Sequence, residues 1–160
     1  MTAKADFTPE DWTAIVRAPL IAGMAISLAD PGGPIELTKE SVATMKSVLD
    51  PVGGEQPELV TAVRAEFQAL AKAHENPAAG FKPKNPQELL DELTRVTGVV
   101  AGAATPEEAD GFRDLLRTAA RRAADAAKEG GFMGFHAERV SAGEQRMLEQ
   151  IDAAVAAPAG

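Results

Sequence analysis

The chain has 160 residues, 45% of them apolar, a formal net charge of −8 and no cysteine. One domain of this length buries ~68–70% of the surface its unfolded chain exposes, so a substantial core is within reach. The missing cysteines exclude disulfides and thiol chemistry and fit a reducing cytoplasm, while the acid excess argues against nucleic acid or an anionic membrane as partner.

Aromatic residues are only 4% and tyrosine is absent. Alanine supplies much of the apolar share, which favours helix over strand. The first residues hold no apolar run of signal-peptide length. Residues 1–7 and 157–160 are expected to fray, and the whole chain, 1–160, reads as a single helical domain.

Thr8-Pro9-Glu10-Asp11 opens the first helix with a capping hydroxyl, a proline at the first helical position and acids at the positive end of the dipole. Phe7 and Trp12 stand at the spacing of a hydrophobic staple. Pro19 removes a backbone donor and predicts a kink or break. Residues 18–29 then carry no charge. A helix apolar on every side belongs inside other helices, and this stretch is shorter than the ~20 residues a bilayer demands. Ala18, Ala22, Ala25 and Ala29 form a small-residue stripe along it.

The turn cluster Asp30-Pro31-Gly32-Gly33-Pro34 separates this segment from a helix predicted over 35–49, with Val42, Met45 and Leu49 on one face. After a second turn, Pro57 opens a helix whose stripe is Leu59, Val63, Phe67, Leu70 and His74. Residues 75–85 read as an exposed, mobile loop. Asn85-Pro86-Gln87-Glu88 and Thr105-Pro106-Glu107-Glu108 repeat the start signal.

The helix after Asn85 buries Leu89, Leu93, Val96 and Val100 and ends in the uncharged run 97–104, which predicts a second tightly packed segment. The helix after Thr105 turns Ala109, Phe112, Leu116, Ala119, Ala123 and Ala126 inward. Asp110, Asp114, Arg117, Arg121, Asp125 and Lys128 lie opposite, as a solvated face with Asp114–Arg117 and Arg121–Asp125 pairs. Ser141-Ala142-Gly143-Glu144 caps a last helix carrying Met147, Leu148, Ile151 and Val155. The sum is an all-α, compact single-domain bundle of six or seven helices around a buried helix near 18–29.

Chemistry is sparse. No phosphate loop, nucleophile elbow or dinucleotide fingerprint is present, which points away from an enzyme. His74 ends an apolar stripe and reads as a core histidine. Asp30, Glu36 and Glu40 cluster near a turn and could hold a divalent cation through oxygen ligands; no other cofactor is evident. Phe132, Met133, Phe135 and His136 form an apolar, glycine-flanked loop suited to contact a protein partner or a second copy of the chain.

Residues 22–40, with a small apolar helix, Asp30, a glycine turn, Glu36 and Glu40, resemble the repeated unit of TerB-like tellurite-resistance proteins. Residues 123–151 resemble it more weakly. The resemblance covers under a third of the chain and implies an all-α fold, a cytoplasmic stress role and metal binding through acidic residues. Two functions follow as expectations: a non-enzymatic interaction or self-association module, or a divalent-metal-binding stress protein.

Overall fold

Thr8 begins α1 (Pro9–Ala29) as its cap, its Oγ1 accepting the Asp11 N–H at 3.1 Å while its hydroxyl donates to the Asp11 carboxylate at 2.9 Å. Phe7 and Trp12 stack with ring centroids 6.0 Å apart, which completes the staple and fixes how the chain enters the helix. In this computed structural model the described residues are 2–29, 50, 54–129 and 142–156. They form a 3-10 turn (Lys4–Asp6) and five α-helices: α1, α2 (Glu58–Lys72), α3 (Pro86–Ala103), α4 (Pro106–Glu129) and α5 (Ala142–Val155). Among the described residues there is no strand.

Capping residues start α1, α3 and α4 as read from the sequence, while the cap expected at Ser141 lies outside the described residues. The Glu88 N–H donates to Asn85 Oδ1 at 3.1 Å at the start of α3. At the start of α4 the box is reciprocal: the Glu108 N–H donates to Thr105 Oγ1 at 3.3 Å, and the Thr105 N–H donates to the Glu108 carboxylate at 3.1 Å.

Helix α1 touches each of the other four α-helices. Ala18, Ile21, Ala22, Ala25 and Ile26 are fully buried, so the alanine stripe lets neighbouring backbones approach. Phe67 on α2 and Phe112 on α4 are the largest side chains buried in the same core. The start of α2 rests on α4 at Gly111, where a Cβ would come within 2.5 Å of Pro57 Cγ. A glycine is there because the proline ring occupies the space a side chain would need.

Several expectations change. Helix α1 runs unbroken through Pro19, which is buried mid-helix. Proline deprives the Ile15 carbonyl of its helical donor, but packing on both flanks holds the backbone helical. At 21 residues α1 is therefore long and apolar enough to cross a membrane by length and composition, which removes the argument from shortness. Burial replaces it, since 67% of its apolar window is covered by protein. The helix is not apolar-enclosed on every side: Leu28 is 43% exposed.

The run 97–104 is not a second enclosed segment. Thr97 and Val100 are buried, but Gly98, Ala101, Gly102 and Ala103 are exposed. Small residues expose so little apolar area that leaving them in water costs little. His74 leaves the apolar stripe altogether. It lies beyond α2, exposed, with φ 57°. The His74 N–H donates to the Ala71 carbonyl at 3.1 Å and the Glu75 N–H to Leu70 at 2.9 Å, the paired bonds of a Schellman C-cap.

Residues 75–85 are also more ordered than a plain connection. The Ala78 N–H donates to Asn76 Oδ1 at 2.9 Å, Pro77 is buried, and Ala78 and Phe81 pack against the core. The Arg17 guanidinium sits 4.6 Å from the centre of the Phe81 ring.

Candidate functional site

The acidic trio Asp30, Glu36 and Glu40 and the apolar loop Phe132, Met133, Phe135 and His136 lie outside the described residues, as does the helix expected over 35–49. Among the described residues no group of three His, Cys, Asp or Glu side chains is arranged to hold a metal ion. The structure instead sorts the charged side chains into two regions of different character.

The first joins α1 to α3. Arg17 donates to the Glu92 carboxylate at 2.9 Å, and Arg95 donates to Glu92 at 3.0 Å and to Asp11 at 3.2 Å. Burial pushes the Glu92 carboxyl up, but hydrogen bonds from Arg95 and Arg17 outweigh it and hold the group below its ordinary range. The hydrogen bond to Glu92 raises Arg95 correspondingly. Every charge here has an opposite partner, so the network is a clasp between helices and leaves little for a ligand to gain.

The second region is the outer side of α4 and the grooves that flank it. Between α2 and α4 the groove is lined by Pro57, Val60, Arg64, Leu115 and Thr118, together with the carboxylates of Glu107, Asp110 and Asp114. Between α4 and α5 it is lined by Thr118, Arg121, Arg122, Leu148 and Asp152. Thr118 borders both. Helical spacing sets this arrangement: 111, 115 and 118 face α2, while 117, 120 and 121 face α5.

The arginines of this region differ from one another. Arg113 is not part of a solvated face. It is buried and donates to Asp110 at 2.6 Å. Arg117 forms the expected pair with Asp114 at 3.1 Å and also reaches Asp152 on α5 at 3.0 Å. The expected Arg121–Asp125 ion pair does not form. Arg64 lies on α2 and Arg122 on α4, lining different grooves. Burial first, and then the like charge of Arg122, lower the Arg64 pKa. The Arg64 Nε is buried without a hydrogen-bond acceptor. Among the described residues neither Arg64 nor Arg122 has a carboxylate within ion-pair distance.

The sequence pattern singles out neither Arg64 nor Arg122. Nothing in the spacing along either helix signals the effect of Arg122 on Arg64, because the two lie on different helices. Glu108 was likewise read only as a capping residue. Its carboxylate is buried, and it also accepts the Thr2 N–H at 2.8 Å and the Thr2 hydroxyl, tying the N-terminal segment to α4.

The fold defines a class, a protein whose described residues are all-helical, with arginines and carboxylates mixed along the outer side of α4. No protein-family model, curated protein or solved structure matches it.

Proposed function

We propose that this chain is a non-enzymatic helical interaction module. Its recognition face is the outer side of α4 with its two flanking grooves, and its partner is a protein presenting an acidic segment. The observation that carries this reading is the pair Arg64 and Arg122. Both line grooves beside α4 without a carboxylate within ion-pair distance among the described residues, and the like charge of Arg122 lowers the Arg64 pKa, on a chain with 24 acidic and 16 basic side chains. Two arginines left without ion-pair partners on a chain with acids to spare can each receive a carboxylate from a partner. Complementary charge of this kind chiefly selects the partner and speeds the encounter.

The finer architecture belongs to the same proposal. A helix over 35–49 would bring the α-helices to six and complete a bundle around α1. The metal-binding reading through Asp30, Glu36 and Glu40 rests on their clustering near a turn and on the TerB-like resemblance, and no observation among the described residues favours it.

A hexaglutamate peptide titrated into the isotopically labelled full chain tests the face. Backbone resonances of α2, α4 and α5 near Arg64, Thr118 and Arg122 should move, and should move less as salt rises. Unmoved resonances at about ten times the protein concentration and low salt, or shifts confined to the far side of α1 and α3, would refute the reading. Sedimentation of the free chain supplies the other arm. A dimer broken by Arg122→Gln would make the occupant a second copy of the chain rather than a separate partner.

A further inference from the structure

We infer that Thr2 is the first residue of the finished protein: the Met1–Thr2 bond is hydrolysed, and the α-ammonium freed on Thr2 pairs with the buried carboxylate of Glu108. This pairing is independent of the recognition face proposed above. Three observations carry it.

The Glu108 carboxylate is buried, and among the described residues no Lys, Arg or His lies within ion-pair distance of it. Its hydrogen bonds come from neutral donors, the N–H and hydroxyl of Thr2 and of Thr105. The start of α4 adds a partial positive charge of only ~0.5. A buried carboxylate is costly without a counter-charge. Glu92, which also joins distant parts of the chain, holds both Arg17 and Arg95.

The main-chain nitrogen of Thr2 stands 2.8 Å from Glu108 Oε1. Loss of Met1 turns that nitrogen from an amide into an ammonium where it already lies, so the missing charge is supplied at hydrogen-bond distance. The Thr2 hydroxyl, on Oε2, keeps the residue oriented. The other ties of this segment all lie after the bond that is cut. Lys4 reaches Glu66 on α2 at 3.1 Å, Asp6 accepts the Ala3 N–H at 2.8 Å, and Phe7 stacks on Trp12. Removing Met1 costs none of them.

The step needs only water and a peptidase of the class that removes methionine before a small residue. Water adds its hydroxyl to the Met1 carbonyl carbon, the C–N bond breaks, and the Thr2 nitrogen leaves as an amine. The amine takes up the proton of the new carboxyl group, leaving one carboxylate and one ammonium. Thr2 is buried once the chain has folded, but Glu108 is 106 residues further on. At ~5–20 residues per second of synthesis, at least ~5 s pass before the carboxylate that covers Thr2 exists.

A fusion cleaved without a scar yields the full chain starting at Met1 or at Thr2. Both forms carry one α-ammonium, so they differ in its position and not in net charge. Each is melted at pH 7 with Glu108 and with Glu108→Gln. A third form, the Thr2 chain acetylated at its α-nitrogen, keeps an N–H there but loses the charge. The Thr2 form should melt about 4 °C above the Met1 form. The gap should survive high salt, because a buried pair is little screened. Acetylation, or Glu108→Gln in both forms, should shrink it below about 1 °C. The intact mass of the chain made without a tag should be lower by one methionine residue.

Equal melting of the two forms, or a Met1 form that melts higher, overturns the ion pair. A gap that persists in Glu108→Gln or after acetylation also overturns it, since the cause is then the absence of Met1 and not the charge. Should Glu108→Gln fail to fold, the acetylated form decides alone. Methionine retained in the intact mass overturns the processing, whatever the melting shows.

Discussion

Replacing Glu108 with Gln should loosen the tie between the N-terminal segment and α4, with a pH signature that isolates the cause. The Glu108 carboxylate is 6% exposed. It accepts the Thr2 N–H at 2.8 Å, the Thr2 hydroxyl, the Thr105 N–H at 3.1 Å and the Thr105 hydroxyl at 3.0 Å. Glutamine is nearly isosteric, but one of its terminal atoms is a donor. The two hydroxyls can rotate to meet it; the two backbone N–H groups cannot both be satisfied. One bond to a charged acceptor is lost, worth ~1.5–3 kcal/mol, and the others weaken to neutral strength. Releasing Thr2 regains ~1–2 kcal/mol of chain entropy. The net loss should be about 2 kcal/mol, or about 1 M in the urea midpoint for a slope near 2 kcal/mol per M.

Hydrogen bonds, the Thr2 hydroxyl first, pull the Glu108 pKa down to about 2 against the opposing effect of burial. A depressed carboxylate binds fewer protons folded than unfolded between these two values, so stability rises with pH across that window. Its contribution is complete above the ordinary value of 4.5 and is lost as pH falls through about 2. Urea unfolding of both proteins at pH 7, 5 and 3 should therefore show a constant gap at the first two values and a narrower one at the third. A gap below about 0.5 kcal/mol at pH 7, or one undiminished at pH 3, would refute the reasoning.

Two further tests concern backbone and space. His74→Gly should stabilise the chain by ~0.5–1 kcal/mol in urea unfolding, because the C-cap holds residue 74 at φ 57° and glycine enters that region without a Cβ penalty. Equal or lower stability would mean that the His74 side chain contributes more than its backbone costs. Gly98→Ala and Gly111→Ala are both mid-helix changes, and helix propensity alone makes both favourable by ~0.5–1 kcal/mol. The structure separates their signs. A Cβ at Gly98 meets nothing within 4 Å, whereas at Gly111 it meets the Pro57 ring at 2.5 Å. The first should raise Tm, and the second should lower it by the ~1–3 kcal/mol typical of overpacking.

What was legible in the sequence is what neighbours along the chain decide. Thr8, Asn85 and Thr105 cap α1, α3 and α4 because a side-chain oxygen one turn from an orphan N–H needs no tertiary help. Apolar spacing found the buried faces, from Leu59, Val63 and Phe67 to Met147, Leu148 and Ile151. It failed at His74, where a periodic pattern continued past the point at which the backbone turned away.

Pro19 shows the opposite failure. Locally it argues for a break, but the helix passing through it is the most enclosed of all, and burial on both flanks outweighs one missing hydrogen bond. Arg17 over Phe81, Glu108 holding Thr2, and Arg17 on Glu92 join residues 64, 106 and 75 positions apart. No periodicity reaches that far. The chain by itself therefore determined that it is helical, where several helices begin and which faces are apolar, because those follow from contacts within a turn or two. Only the tertiary structure decided which charges are paired and which are left without an ion-pair partner, because that depends on where helices cross.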